Sequence, residues 1–223
     1  AVDMVVRLDT QYRMHPTIGD LVSRLFYGGA LRNGSTTAER CTIAASRPYP
    51  GEAVVVVDTA QTTLCEVQDG GFSRFNERTA QLCVQLAIEA IQGGIETVAI
   101  ITPYVEQSRL VRQLLADARL EPDRVECRTV HRFQGNERDM VILDTVDTAP
   151  MPPGVLLAGS SGRSSAPNLI NVSISRARGK LVIIADVAYF ESRCPDSVIT
   201  RTLRAASGIT AGVHGGSRSS SGV

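Results

Sequence analysis

The sequence has no excess of charge of either sign. Lysine plus arginine and aspartate plus glutamate each number 23 among its 223 residues. A nucleic acid or a membrane would have to be held by local groups, because the chain presents no global basic field. This balance argues against a protein that simply coats DNA. The length is sufficient for one large domain with its own core.

The sequence also lacks cysteine pairs and long apolar runs. Its five cysteines are widely scattered: Cys41, Cys65, Cys83, Cys127 and Cys194. No C-x-x-C pair indicates a zinc site or a redox motif. No segment reaches the ~18 apolar residues of a membrane span, and the amino end carries no charged and then apolar leader. We therefore expect a reducing, cytoplasmic setting, with no metal site and no membrane partner.

Short apolar runs alternate with segments of helical period, which is typical of a parallel sheet covered by helices. The predicted strands are residues 53–58, 97–102, 125–130, 139–146 and 180–186. The predicted helices between them are residues 16–27, 76–92 and 105–119. The segment 147–168, rich in Pro, Gly and Ser, is predicted to be a long surface loop. We therefore predict one α/β domain in residues 1–206 and a disordered tail in residues 207–223.

In an open parallel sheet, ligands lie beyond the carboxyl ends of the strands. The residues that follow each predicted strand should therefore carry the chemistry. "ITPY" (101–104) follows one strand, and "TVHRFQGNERD" (129–139) bridges two others. "NLINVSISRAR" (168–178) is predicted to be a helix that leads into the last strand, and "QYRMHP" (11–16) precedes the first helix.

Five segments, in this order, resemble the second RecA-like domain of superfamily 1 helicases, in the branch of the nonsense-mediated-decay helicase. "QYRMHPTIGDLVSRLFYGGAL" is similar to motif IV and its following helix, and "SRFNERTA" to the Ser-x-x-Asn-Glu stretch. "AIITPYVEQ", "RTVHRFQGNERDMVIL" and "NVSISRAR" are similar to the Ile-Thr-Pro-Tyr element, motif V and motif VI. Five ordered motifs are far more specific than any one alone. The resemblance covers residues 8–186 and implies a RecA-like, three-layer domain of the P-loop NTPase type.

The resemblance assigns a nucleotide site to motifs IV and VI. Tyr12 is expected to pack on the adenine and sugar of ATP, and Arg13 to reach the γ-phosphate as an arginine finger. Gln11 is counted with this site because it should orient the turn. Arg176 is expected as the second finger, since helical spacing lets only one of Arg176 and Arg178 face the cleft. The alternatives are a cation and aromatic pair that caps the helix and, for Arg176, a surface salt bridge.

Motif V is expected to serve two sites. Gly135 lets the backbone approach the phosphates, and Glu137 accepts hydrogen bonds from ribose hydroxyls. Thr129 binds a nucleic-acid phosphate, and Gln134 links the two sites. The role of His131 stays open. The alternative for this segment is a polar turn without a ligand.

The remaining expected contacts lead to single-stranded DNA or RNA. Ser73, Asn76, Thr102 and Pro103 resemble the family's contacts to the strand backbone, which position a nucleic acid without reading its sequence. Two alternatives stay open, a helix N-cap at Asn76 and a purely structural Thr102. His15 is expected to be structural, hydrogen-bonding the turn before the first helix.

The sequence contains no G-x-x-x-x-G-K-[ST] loop and no strand ending in the acidic pair that holds magnesium. ATP and Mg²⁺ would therefore need an upstream RecA-like lobe of the same polypeptide, which suits a chain that begins at Ala1. The implied function is the carboxyl-terminal motor lobe of an ATP-dependent helicase, inactive as an isolated fragment.

Two alternatives from other classes stay open. One is a non-catalytic nucleic-acid-binding scaffold lobe, and the other is the motor part of a nuclease-fused defence protein. Two departures from the family pattern concern the grip on the strand. "APNLIN" (166–171) stands where two basic residues usually precede motif VI, and the Gly- and Ser-rich loop replaces a more structured segment.

Overall fold

The computed structural model describes residues 9–60, 62–68, 71–130, 137–159 and 166–215, the side chains of 210–215 excepted. The strands are β1 (Thr10–Gln11), β2 (Arg32–Asn33), β3 (Val54–Asp58), β4 (Glu66–Val67), β5 (Arg74–Phe75), β6 (Val98–Thr102), β7 (Val125–Thr129), β8 (Arg138–Asp144) and β9 (Ala177–Ala185). The helices are α1 (Pro16–Phe26), α2 (Cys41–Ala44), α3 (Glu77–Gln92), α4 (Val105–Asp117), α5 (Val155–Ala158), α6 (Ala166–Ile174), α7 (Val187–Arg193) and α8 (Val198–Gly215). A 3₁₀ helix covers Ser35–Arg40.

Five strands form one parallel sheet in the spatial order β3-β9-β8-β6-β7. Each of the five apolar runs predicted to be a strand contributes one of them. The pairs β1-β2 and β4-β5 form two small separate sheets. The predicted α/β class with a parallel central sheet is therefore confirmed.

Side chains of the central strands alternate between two apolar cores. On β6, Val98 and Ile100 face one core together with α3 and α4. Ala99 and Ile101 face the other core, which α1, α6 and α8 cover. Because both faces of the sheet are buried, the strands read as continuous apolar runs, and the domain has three layers. Within the described ranges, no helix is both long and apolar enough to span a bilayer.

Motif VI differs from its prediction. Helix α6 ends at Ile174, so Arg176 lies in a turn and Arg178 lies on β9. The backbone N–H of Arg138 donates to the carbonyl of Arg176 at 3.1 Å, and Ala177 already pairs with β8. From Arg176 onward, hydrogen bonds to strand β8 therefore replace the hydrogen bonds of the predicted helix. The helical-face argument for choosing between the two arginines is wrong, and their surroundings must decide instead.

Two segments predicted to be irregular are partly helical. The segment 147–168 contains α5 and the start of α6, and its Leu157 is buried in the core, so it is not simply a surface loop. Helix α8 continues to Gly215, and its Ile209 still packs against the core. The predicted boundary at residue 206 thus falls inside a helix. Residues 216–223 lie outside the described ranges.

Candidate functional site

Three of the predicted nucleotide residues meet at the amino ends of β8 and β9. Glu137 directly precedes β8, and Arg176 directly precedes β9. The Nε of Arg13 donates to Oε2 of Glu137 at 2.5 Å, and its Nη1 donates to the carbonyl of Ser175 at 3.3 Å. Residues from motifs IV, V and VI are therefore assembled into one group, which we call the arginine cluster: Arg13, Glu137 and Arg176.

The position of the arginine cluster differs from the expected one. Ligands of open parallel sheets lie beyond the carboxyl ends of the strands, but Glu137 and Arg176 lie before their strands. The carboxyl-end rule therefore does not describe the position of these two residues, and their role in binding a nucleotide stays a prediction. Arg13 reaches this edge because the turn before α1 is tied to it, the backbone N–H of His15 donating to the carbonyl of Arg178 at 2.6 Å.

The arginine cluster contains two cations and one carboxylate. The Nε of Arg176 is buried and has no hydrogen-bond partner among the described residues. Burial lowers the pKa of Arg176, the neighbouring charge of Arg13 lowers it further, and Glu137 opposes both. An unpaired buried donor beside excess positive charge suits an anion with several oxygens, such as a phosphate group. The residues present therefore fit the nucleotide that the motifs imply.

Gln11 fixes the backbone of the turn that carries Tyr12 and Arg13. Its Oε1 accepts from the N–H groups of Arg13 and Met14 at 2.9 and 2.7 Å, and its Nε2 donates to the Met14 carbonyl and to Asn33. Tyr12 is 59% exposed, and its ring lies against Gly34, where a Cβ would come within 2.2 Å of the ring. An aromatic face is thus presented beside the arginine cluster.

His15 is the N-cap of α1. Its Nδ1 accepts from the N–H of Thr17 at 3.1 Å, and its Nε2 lies 3.2 Å from the Sγ of Cys41. Burial lowers the pKa of His15, although Asp20 opposes this. The N-cap of α1 is therefore His15. The alternative, in which the side chains of Tyr12 and Arg13 cap this helix as a pair, is wrong.

The predicted strand contacts lie at the opposite, carboxyl end of the sheet. Thr102 ends β6 and Thr129 ends β7, and the two residues pair in register. Thr102 is fully buried, and its hydroxyl has no partner among the described residues. Pro103 is buried and Thr129 is half-buried. The structure thus separates the predicted strand contacts from the arginine cluster by the length of the sheet.

Ser73 and Asn76 serve as helix caps at this carboxyl end. The Oγ of Ser73 accepts from the N–H of Glu106 at 3.0 Å, in the first turn of α4. Asn76 is buried, its Oδ1 accepts from the N–H of Thr79 at 3.2 Å, and its Nδ2 donates to the Val146 carbonyl at 3.4 Å. Capping therefore accounts for these contacts, and binding to a strand stays a prediction for both residues.

A buried ion pair behind these caps was not predicted from the sequence. Asp147 accepts from Arg74 at 2.8 Å, from the hydroxyl of Tyr104 at 2.7 Å and from the N–H of Gly154 at 2.7 Å. Arg74 also donates to the Pro152 carbonyl at 2.6 Å and lies 5.5 Å from the centre of the Tyr104 ring. One sequence feature could have indicated this ion pair: Asp147 lies three residues beyond β8, near the carboxyl end of the sheet. The Pro-rich composition of the segment that begins at Asp147 led instead to the prediction of a surface loop.

A second buried carboxylate lies at the end of β8. Asp144 accepts from the Nε2 of Gln107 at 2.7 Å, from the hydroxyl of Thr79 at 3.1 Å and from the N–H of Val146 at 3.1 Å. Burial raises its pKa from 3.8 to about 6, although these hydrogen bonds oppose the change. The network joins α3 and α4 to the carboxyl end of the sheet.

The pKa of Asp144 predicts how stability changes with pH. The folded state retains a proton that the unfolded state releases, so this contribution is fully present below pH ~4 and is lost as the pH rises through ~6. The free energy of unfolding of the parent minus that of Asp144→Asn should fall by roughly 2 kcal/mol between pH 4 and pH 7. Urea unfolding of both proteins at each pH measures it. A difference that stays constant with pH would contradict the assignment.

Some predicted residues cannot be placed. Gln134, Gly135 and His131 lie outside the described residues. In the ranges that are described, no group of three or more His, Cys, Asp or Glu residues could hold a metal ion.

Comparison with known proteins gives consistent matches. A family model described as an AAA domain matches residues 2–188. The ATP-dependent helicase NAM7 of Saccharomyces cerevisiae is 29% identical over 187 residues, which cover 81% of this chain and 18% of that protein. A regulator of nonsense transcripts 1 homolog of Arabidopsis thaliana is 30% identical over 187 residues, covering 81% of this chain and 14% of the relative. The chain spans less than a fifth of the length of these relatives.

A search of solved structures gives a match to a helicase domain. The C-terminal domain of a possible DNA helicase from Lactobacillus plantarum WCFS1 is 17% identical, with a TM-score of 0.47. The match covers 78% of this chain and 87% of that one.

Proposed function

We propose, given that the chain belongs to the AAA domain family, that it is the carboxyl-terminal motor lobe of an ATP-dependent superfamily 1 helicase or translocase. The observation that carries this proposal is the arginine cluster, in which Arg13 pairs with Glu137 and the buried Nε of Arg176 beside them lacks a partner among the described residues. The names of the relatives, ATP-dependent helicases among them, support the same activity for the whole protein.

The arginine cluster would hold the phosphate end of the nucleotide. Arg13 and Arg176 supply fixed positive charge to the transferring phosphoryl group, which accumulates negative charge on its oxygens. Glu137 holds the Nε of Arg13 and thereby directs its guanidinium. Tyr12 supplies the apolar face for the base. ATP supplies the phosphoanhydride bond, and we propose that an upstream lobe supplies the lysine loop and the Mg²⁺ ligands.

The carboxyl end of the sheet would hold a single strand of DNA or RNA. Thr102, Thr129, Ser73 and Pro103 lie there, on the side away from the arginine cluster. Hydroxyls and amides at helix amino ends can bind phosphates without net charge, which suits a neutral chain. We place the protein in a reducing, cytoplasmic setting, which its five free cysteines support.

Phosphate release tests the proposal. The 223-residue chain alone should hydrolyse ATP at the background rate, because it carries neither the lysine loop nor the magnesium carboxylates. The full-length protein should hydrolyse ATP faster when single-stranded DNA or RNA is added. Turnover by the isolated chain would contradict the half-site assignment. A full-length protein that binds strands without hydrolysis would favour the scaffold alternative instead.

A further inference from the structure

Phe72 is an aromatic side chain that the fold leaves in solvent. It is 99% exposed, although it directly precedes the cap residue Ser73. Large apolar side chains are ordinarily buried, because exposure of an aromatic ring forgoes the free energy of removing it from water. We propose that Phe72 is a stacking platform for a base of single-stranded nucleic acid. The inference rests on the proposed function and adds to it a contact to bases.

The backbone that carries Phe72 is firmly anchored. Ser73 accepts a hydrogen bond from Glu106 in the first turn of α4. Arg74 pairs with Val67 across the β4-β5 hairpin, and its guanidinium is fixed by the buried Asp147. The ring therefore projects from a positioned strand end. Anchoring of the backbone beside Phe72 reduces the conformational entropy that is lost when a base stacks on the ring.

The surroundings of Phe72 suit a nucleic-acid strand. Val105, the first residue of α4, and Val155, the first residue of α5, are also exposed. Helix α4 is tied to Ser73 through the N–H of Glu106, and the residue before α5 is tied to Asp147, the partner of Arg74, through the N–H of Gly154. Exposed apolar side chains and buried polar groups thus occur together at the carboxyl end of the sheet, where the predicted strand contacts lie. This mixture matches a strand, whose bases are apolar on their faces and whose backbone is polar.

Stacking also explains how a neutral chain could bind a polyanion. The chain has equal numbers of acidic and basic residues, so it has no net positive charge to attract a polyanion over its whole surface. Stacking of bases on aromatic side chains does not require positive charge, and it tolerates any sequence because every base has a π-face. A protein partner is the competing occupant, but it would require a broader contiguous apolar patch than one ring provides.

Fluorescence anisotropy with the full-length protein tests the inference. Two labelled DNA single strands of equal length are compared, one with bases and one in which the central nucleotides are abasic. Phe72→Ala should weaken binding of the base-bearing strand about ten-fold or more and leave the abasic strand unchanged. Phe72→Tyr should restore binding, because it keeps the ring. Leu64→Ala, which removes another strongly exposed apolar side chain without a ring, is the matched control and should bind as the parent does.

The outcomes separate this inference from the proposed function. If the parent binds neither of these strands nor the corresponding RNA strands, both are overturned. If the parent binds the base-bearing strand and Phe72→Ala binds it equally well, the stacking role is overturned while the proposed function stands. Equal weakening of both strands by Phe72→Ala would also overturn stacking, because the effect would not depend on bases. Thermal melting of each variant confirms that the proteins compared are folded.

Discussion

Replacement of Arg13 or Arg176 by alanine in the full-length protein should lower kcat for ATP hydrolysis by about 10³-fold or more. Both guanidinium groups lie at the same edge of the sheet, where the positive charge of Arg13 lowers the pKa of Arg176. Charge that is fixed before the reaction stabilises the transition state more than the ground state. Nucleotide affinity should therefore fall far less than kcat. Initial rates across ATP concentrations separate the two quantities.

Arg178→Ala is the matched control for this experiment. Arg178 lies two residues from Arg176 but donates to Asp139 at 3.0 Å, in an ion pair at the start of β8. Its removal should leave kcat unchanged and lower the free energy of unfolding by about 1 kcal/mol. Tyr12→Ala should instead act mainly on nucleotide affinity, since the ring offers an apolar face and no charge. A loss of kcat in Arg178→Ala as large as that in Arg176→Ala would contradict the assignment of the arginine cluster.

The sheet could be predicted from the sequence because its strands are buried on both faces. Runs such as Val54–Asp58 and Val98–Thr102 are nearly continuously apolar, which is a strong local signal. The end of α6 could not be predicted in this way. Residues 171–178 have helical periodicity, but hydrogen bonds to β8 begin at Arg176, and such pairing depends on a distant segment.

The candidate site was only partly predictable. The motifs identified Arg13, Glu137 and Arg176, and the structure brings these three residues together. That they meet at the amino end of the sheet depends on the path of the turn before α1, which no local pattern specifies. The contacts of Lys180 could not be predicted from the sequence either. Its ammonium group is buried and donates to three carbonyls between residues 46 and 49. Contacts of this kind join segments more than 100 residues apart and leave no periodic signal.

Asp147→Ala should lower the free energy of unfolding by about 3–5 kcal/mol. The carboxylate is buried and accepts hydrogen bonds from Arg74, Tyr104 and Gly154. Its loss leaves the mostly buried guanidinium of Arg74 without its counter-charge, and an uncompensated buried charge is far more costly than the loss of a surface pair. Urea unfolding at neutral pH measures the change. Asp123→Ala, at an exposed aspartate, should stay within about 0.5 kcal/mol of the parent.

A double variant identifies the cause of this destabilisation. If the unpaired charge is responsible, Arg74→Met combined with Asp147→Leu should recover much of the stability, because apolar residues of similar size replace the pair without leaving an isolated ion. The double variant should nevertheless bind base-bearing strands less tightly than the parent. Arg74 fixes the hairpin that carries Phe72 to Asp147 and Pro152, in the segment that follows β8, and that connection would be missing. Full stability with unchanged strand binding would show that apolar packing can replace this ion pair and that the pair does not position the strand site.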